Sequence, residues 1–322
     1  MPVPRVLVLG NPEAPHFRLL NELTKPTDLQ IGTDQDFLAR EVPLADVVLL
    51  GNFDGGLFKA LWPLAKRARW VHSLAAGVEG MLSPEFVASS VPLTNARGVF
   101  AEALGEYAIA AILHFAKNIP LMTRNQQAHR WESLTVEMVR GKTLGVVGYG
   151  GIGREAARLA SKIGMRVIAL RRKPAEPGGD GIAERIYTPG ELNELLAASD
   201  YVLMSMPSTP ETRHIIGGPQ LRAMKPEAVL INIGRGSSVD EAALVEALRE
   251  KRIRGAALDV FETEPLPSDH PLFTLDNVLL SAHSADRTAD WLERAMRIFI
   301  ENYGRFIRGE PLLNVVDKGA GY

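Results

Sequence analysis

Short runs of leucine and β-branched residues alternate along the chain with stretches whose apolar positions recur every three to four residues. Residues 5–9, 46–50, 70–74, 143–147, 166–170, 200–204, 229–233, 256–260 and 278–281 predict strands. Most of these runs are continuously apolar rather than alternating, as parallel strands covered on both faces are. Between them lie helical patterns, among them 152–163, 190–198 and 240–251. The repeated strand–helix order predicts an α/β fold: two doubly wound parallel-sheet, Rossmann-like domains. Two longer helices punctuate the series. Residues 100–117 are apolar on most faces, which predicts burial, and 289–307 place Leu292, Ala295, Met296, Phe299, Tyr303 and Phe306 on one stripe that faces a core.

Composition narrows the class without changing this picture. The 322 residues make about two domains at roughly 150 residues each. An apolar content of 46% is that of a globule. With 36 basic against 38 acidic residues the net charge is -2, so no overall field attracts nucleic acid or an anionic membrane. The absence of cysteine excludes disulfides, thiolate metal sites and a cysteine nucleophile, and no metal site is expected. Met1 leads directly into a strand-like run with no secretory pattern, and the longest apolar stretch, residues 107–116, is too short to span a bilayer. The expectation is a cytoplasmic protein with no membrane partner.

The segment Thr143-Leu-Gly-Val-Val-Gly148-Tyr-Gly150-Gly151-Ile152-Gly153 is a strand entering G-x-G-x-x-G and then a helix. Gly148 suits the tight turn, Gly150 the approach of backbone to a pyrophosphate, and Gly153 the close packing of helix on strand. The helix N-terminus adds unpaired N–H groups and a partial positive charge. A second strand arrives at the right spacing, so dinucleotide binding is favoured over an ordinary strand–helix turn. That strand ends at Leu170-Arg171-Arg172-Lys173. An acid there would accept from a ribose 2′-OH; arginine suits a 2′-phosphate. Arg171, helped by Arg172, therefore predicts NADP(H) preference, with NAD(H) possible and a plain basic loop as the alternative.

Further motifs run in order along the chain: Leu74-Ala-Ala76-Gly77-Val-Glu, Thr94-Asn-Ala-Arg97-Gly, Pro207-Ser-Thr-Pro-Glu-Thr212, Met224-Lys-Pro, Ile231-Asn-Ile233-Gly-Arg235-Gly, Leu258-Asp259-Val-Phe-Glu-Thr-Glu264-Pro and Ser281-Ala-His283. With the glycine turn, this series resembles the D-isomer-specific 2-hydroxyacid dehydrogenases, most nearly the glyoxylate/hydroxypyruvate reductase-like branch. The resemblance implies a discontinuous substrate domain, residues 1–96 and 286–322, with the dinucleotide domain, 97–285, inserted into it. It also implies a homodimer, a small 2-keto or 2-hydroxy acid as substrate, and a catalytic set of Arg235, Glu264 and His283.

Each of these residues suits its assigned role. A guanidinium clamps the carboxylate beside the reacting carbonyl. An imidazole, with an ordinary pKa of about 6.5, donates a proton as negative charge builds on the carbonyl oxygen. A carboxylate on its other nitrogen holds the ring and raises that pKa. The same resemblance assigns Asp259 to the nicotinamide carboxamide, the amides of Ala76 and Gly77 to the substrate carboxylate, and Pro207, Thr212 and Ile233 to the cofactor lining. Trp131 matches an aromatic that can reach a partner subunit's pocket, with a packing role as the alternative. Asn52 and Phe53 are candidate pocket walls. The chain departs from the family after His283, where Ser284-Ala285-Asp286-Arg287 replaces small residues and places a charge pair near the pocket. The sequence runs to Tyr322 without the regulatory extension of some phosphoglycerate dehydrogenases, so end-product control through such a domain is not expected. Two other readings on this scaffold remain: a non-catalytic dinucleotide sensor of the corepressor type, and formate or phosphite oxidation, for which no polar groups stand out in the first domain.

Overall fold

The computed structural model describes residues 3–23, 26–51, 54–172 and 180–322. The chain forms two compact units, Met1–Val99 with Thr288–Tyr322, and Phe100–Arg287.

The first unit holds β1 (Arg5–Leu9), β2 (Asp28–Gly32), β3 (Val47–Leu50), β4 (Trp70–Ser73) and β5 (Leu93–Asn95) in the order β2-β1-β3-β4-β5, all parallel. The strand order reverses between β1 and β3. In an open parallel sheet, ligands bind beyond the carboxyl ends of the strands at such a point. Phe17, from the short helix Pro15–Glu22, lies directly over Gly10 and Gly51, which follow those two strands; a Cβ at Gly10 would stand 2.7 Å from its ring. Asn52 and Phe53 lie outside the described residues. Helix Trp291–Arg308 belongs to this unit and buries Ala295, Met296, Phe299 and Tyr303, as its stripe predicts; Leu292 and Phe306 are only half-buried. Phe299 stacks on Trp70 with ring centroids 5.2 Å apart. The C-terminal segment then closes the edge of β5: Val316 N donates to Leu93 O, and the Lys318 ammonium is spent on Phe86 O, Ser89 O, Ser89 Oγ and Val91 O.

The second unit holds β6 (Thr143–Val147), β7 (Arg166–Leu170), β8 (Arg185–Tyr187), β9 (Tyr201–Met204), β10 (Val229–Asn232), β11 (Gly255–Leu258) and β12 (Val278–Leu280). Their order is β12-β11-β10-β9-β6-β7-β8, again parallel throughout. Strands β6, β9, β10 and β11 are buried at every position, which accounts for their mainly apolar sequence, broken only at the ends by Thr143 and Asn232. The switch point falls between β6 and β9, where the glycine turn emerges. Helix Ala101–Ala116 buries Ala103, Leu104, Ala108, Ala111, Ile112 and Phe115. Gly105 permits its close approach to helix Gly151–Lys162, because a Cβ there would stand 3.2 Å from Leu159.

Three strands escape the sequence pattern. β2 and β8 are sheet edges, and β5 ends the other side of the first sheet. β2 reads Asp-Leu-Gln-Ile-Gly with every residue half-buried, and β5 and β8 are three residues long. An edge strand needs less apolar surface than a central one, so the signal is weak.

Candidate active site

The glycine turn is set by backbone geometry. Gly148 has φ +101, a left-handed conformation that a side chain resists, and a Cβ there would stand 2.9 Å from Met206 N. The Gly148 and Tyr149 amides both donate to Leu170 O, tying the turn to the end of β7, and Ser205 Oγ donates to Gly148 O. At Gly153 a Cβ would collide with the Gly148 carbonyl and the Val146 side chain, so only glycine lets the helix start this close to β6. Over Gly150 and Gly151, by contrast, an added Cβ would meet nothing within 4 Å. The turn thus presents bare backbone and the first amides of helix Gly151–Lys162, a cradle whose shape and sign fit a pyrophosphate.

Arg171 continues directly from β7, with its amide donating to Tyr187 O, and Arg172 is exposed beside it, its charge adding to the Thr209 and backbone hydrogen bonds that lower the pKa of Glu211. Lys173 lies outside the described residues. Across the turn, Asp180 Oδ2 accepts from Tyr149 OH at 2.8 Å and pairs with Arg154 at 3.0 Å. Pro207 and Thr212 share one tight loop, in which Thr212 Oγ1 donates to Pro207 O. Ile233 is buried, with its amide on Met204 O, so only its backbone edges the site.

Three loops at the carboxyl edge bring the expected catalytic residues together. Arg235 follows β10 between two glycines. A Cβ on Gly236 would collide with the Phe261 backbone, which seats the Arg235 loop against the loop carrying Glu264. The Arg235 guanidinium donates to Gly234 O at 2.8 Å. Glu264 Oε1 accepts from the Phe261 amide at 2.9 Å, and Oε2 lies 2.7 Å from His283 Nδ1. His283 stands after β12 with φ 48, and its amide donates to Asp259 O. Nε2 is the ring nitrogen left for chemistry.

The electrostatics follow from this geometry. The bond to Glu264 raises the His283 pKa above its ordinary value; burial opposes it, the Glu264 and Asp259 charges reinforce it, and Arg235 opposes it. Burial alone would lift the Glu264 carboxyl. The bonds from His283 and the Phe261 amide, with the charges of His283 and Arg235, outweigh burial and hold it below the usual carboxylate range. Asp286 sits in the turn after His283, where burial raises its pKa against the pull of the imidazole. The departure from the family pattern therefore lies within the electrostatic reach of His283.

Asp259 is 2% exposed, and its Oδ1 accepts from Ser281 Oγ (2.7 Å), Ser284 N (2.9 Å) and Ala285 N (3.1 Å). It organises the His283 turn from within, beyond the carboxamide role expected of it. Tyr107 and Ser281, joined at 2.7 Å, extend the same network; Ser281 lies in the Ser281-Ala-His283 motif without an assigned role, and Tyr107 lies in none. The signal for Tyr107 is no more than a phenol on a largely apolar helix. Ala76 and Gly77 follow β4 at the carboxyl edge of the first unit's sheet. Ala76 O is fixed by Asn95 Nδ2 at 2.6 Å, and among the described residues the two amides donate to nothing. Trp131 is fully exposed on an extended segment that also exposes Val136 and Met138.

A protein-family model described as "D-isomer specific 2-hydroxyacid dehydrogenase, NAD binding domain" matches residues 109–285. The chain is 36% identical over 280 residues to a glyoxylate reductase of Korarchaeum cryptofilum, covering 84% of this chain and 81% of that one. It is 31% identical to a D-3-phosphoglycerate dehydrogenase of Methanocaldococcus jannaschii over 97% of this chain, but spans only 59% of that relative. Among solved structures, an NADPH-dependent glyoxylate/hydroxypyruvate reductase of Sinorhizobium meliloti in complex with NADP and sulfate superposes with a TM-score of 0.85 at 26% identity, over 99% of this chain and 100% of that one.

Proposed function

We propose a specific reaction for this chain, which belongs to the D-isomer specific 2-hydroxyacid dehydrogenases: reduction of a small 2-keto acid of the glyoxylate or hydroxypyruvate type to the D-2-hydroxy acid. The observation that supports it most is the 2.7 Å bond between His283 Nδ1 and Glu264 Oε2, with the Arg235 charge acting on both. Arg235 clamps the substrate carboxylate and so orients the carbonyl. His283, protonated, donates from Nε2 to the carbonyl oxygen as charge develops there. Glu264 holds the ring and stabilises the imidazolium. The bound dinucleotide supplies the hydride. Gly148, Gly150, Gly151, Ile152 and Gly153 hold its phosphates, and Pro207, Thr212, Ile233 and Asp259 line the remainder.

NADP(H) is the preferred dinucleotide in this reading, because Arg171 and Arg172 directly follow β7, where an acid would be needed for a free ribose hydroxyl. The glyoxylate reductase relative has the higher identity of the two reported, which favours a short substrate over phosphoglycerate. The amides of Ala76 and Gly77 are proposed as further donors to the substrate. A homodimer is proposed on the exposed apolar side chains of Trp131, Val136 and Met138. Among the described residues no helix is long and apolar enough to cross a membrane, and a cytoplasmic location is proposed with the rest. A panel of 2-keto acids assayed with NADPH and NADH tests the reaction. Turnover of glyoxylate or hydroxypyruvate, faster with NADPH, is expected; tight dinucleotide binding with no turnover of any member would replace the reductase by a sensor.

A further inference from the structure

We propose that Tyr107 and Ser281 are positioning residues for His283, acting through Asp259; this rests on the reductase reading for its rate measurements only. Chemistry fixes the direction of the chain they form. A carboxylate only accepts, so Ser281 O–H donates to Asp259 Oδ1 at 2.7 Å. Its proton thus committed, Ser281 Oγ accepts, and Tyr107 O–H, 2.7 Å away, donates to it. Burial raises the Tyr107 pKa, which keeps the phenol a donor throughout the working range of pH. The chain anchors the buried carboxylate to helix Ala101–Ala116, which packs on the glycine-turn helix.

The carboxylate in turn grips the segment around the catalytic ring. Its Oδ1 takes the Ser284 and Ala285 amides, while the backbone carbonyl of Asp259 takes the His283 amide. His283 needs such a grip, because φ 48 is a left-handed backbone that a residue with a Cβ adopts at a cost. The three hydroxyl and carboxylate groups therefore fix where Nε2 points, although neither Tyr107 nor Ser281 contacts His283.

The test compares Tyr107→Phe, Ser281→Ala and Ser281→Thr in the full chain, alone and in a His283→Ala background. Tyr107→Phe should lower kcat about three- to tenfold, the effect of one neutral hydrogen bond, with the NADPH Kd unchanged. Ser281→Ala should lower kcat at least as far, and Ser281→Thr should restore it. With His283 already removed, Tyr107→Phe should cost nothing more, because its effect passes through that ring. Equal losses in both backgrounds would overturn the proposal. A second readout does not need turnover: the His283 ring titration followed by NMR, in the field of Glu264, Asp259, Arg235 and Asp286. Its midpoint should move toward the ordinary histidine value in Ser281→Ala and Tyr107→Phe; an unmoved midpoint in both would overturn the proposal. Wild-type protein that reduces no 2-keto acid would sink the reductase reading and leave the titration to decide this one. If Ser281→Ala fails to fold, Tyr107→Phe, which keeps the ring, decides both arms.

Discussion

Replacing Glu264 by glutamine keeps the shape and an acceptor for His283 Nδ1 but removes the charge. A desolvated charge-assisted bond of this kind contributes about 1.5–3 kcal/mol. Here the His283 side chain is 48% exposed and that of Glu264 35%, so water screens the pair and about 1 kcal/mol is the appropriate figure. At roughly 1.4 kcal/mol per pH unit, the His283 titration should fall by about 0.7 pH. The direction is fixed, because burial and Arg235 both continue to favour the neutral ring once the carboxylate charge is gone. Reduction needs imidazolium, so activity is present below the His283 pKa and lost as pH rises through it. The assay is the pH profile of kcat/KM for glyoxylate with NADPH, read from reduced-nicotinamide absorbance. Glu264→Gln should move the alkaline limb to lower pH and leave NADPH affinity unchanged. An alkaline limb that stays in place, or moves upward, refutes the coupling of the two side chains.

Other consequences are open to direct measurement. Arg171→Asp should lower the NADPH-to-NADH ratio of kcat/KM by about tenfold or more, the loss of one guanidinium–phosphate contact, and an unchanged ratio would move 2′-phosphate recognition elsewhere. His72 is fully buried, its Nδ1 2.6 Å from Thr94 Oγ1, whose oxygen accepts from Trp70 Nε1, while among the described residues Nε2 has no hydrogen-bond partner; burial lowers its pKa to about 3. The unfolded chain binds this proton below pH 6.5 and the folded chain binds it only near pH 3, so His72 should contribute about 1.4 kcal/mol of lost stability per pH unit between those limits, and denaturant titrations should find the slope smaller by that amount in His72→Phe. Gly236→Ala should depress kcat while sparing NADPH binding, since the added carbon displaces the Phe261 backbone and with it Glu264; wild-type kcat would show that the two loops are not coupled.

The central strands were legible because burial writes itself into sequence as mostly apolar runs, and residues 5–9, 143–147 and 166–170 match their strands end for end, each opening on a polar residue. The edge strand Asp28–Gly32 was not, since one open side removes the demand for apolar residues. The glycine turn was legible for a related reason: Gly148 and Gly153 answer backbone constraints that no other residue meets. Glu264 and His283 were a different case. Their 2.7 Å bond joins two loops by way of β12, and nothing local to Glu264 distinguishes it from a solvated acid; only the ordered series of family motifs picks it out. The bond of Tyr107 to Ser281 spans 174 positions; Ser281 stands in the motif that carries His283, but no motif marks Tyr107, so the pairing emerges only when the sheet is folded.

The measurement closest to the central claim pairs turnover with affinity in His283→Ala. The account predicts that kcat for NADPH-dependent glyoxylate reduction falls by about a hundredfold or more, as loss of a general acid does, while the NADPH Kd stays within about twofold of wild type. Full turnover in that variant would contradict it, because the proton would then come from another group.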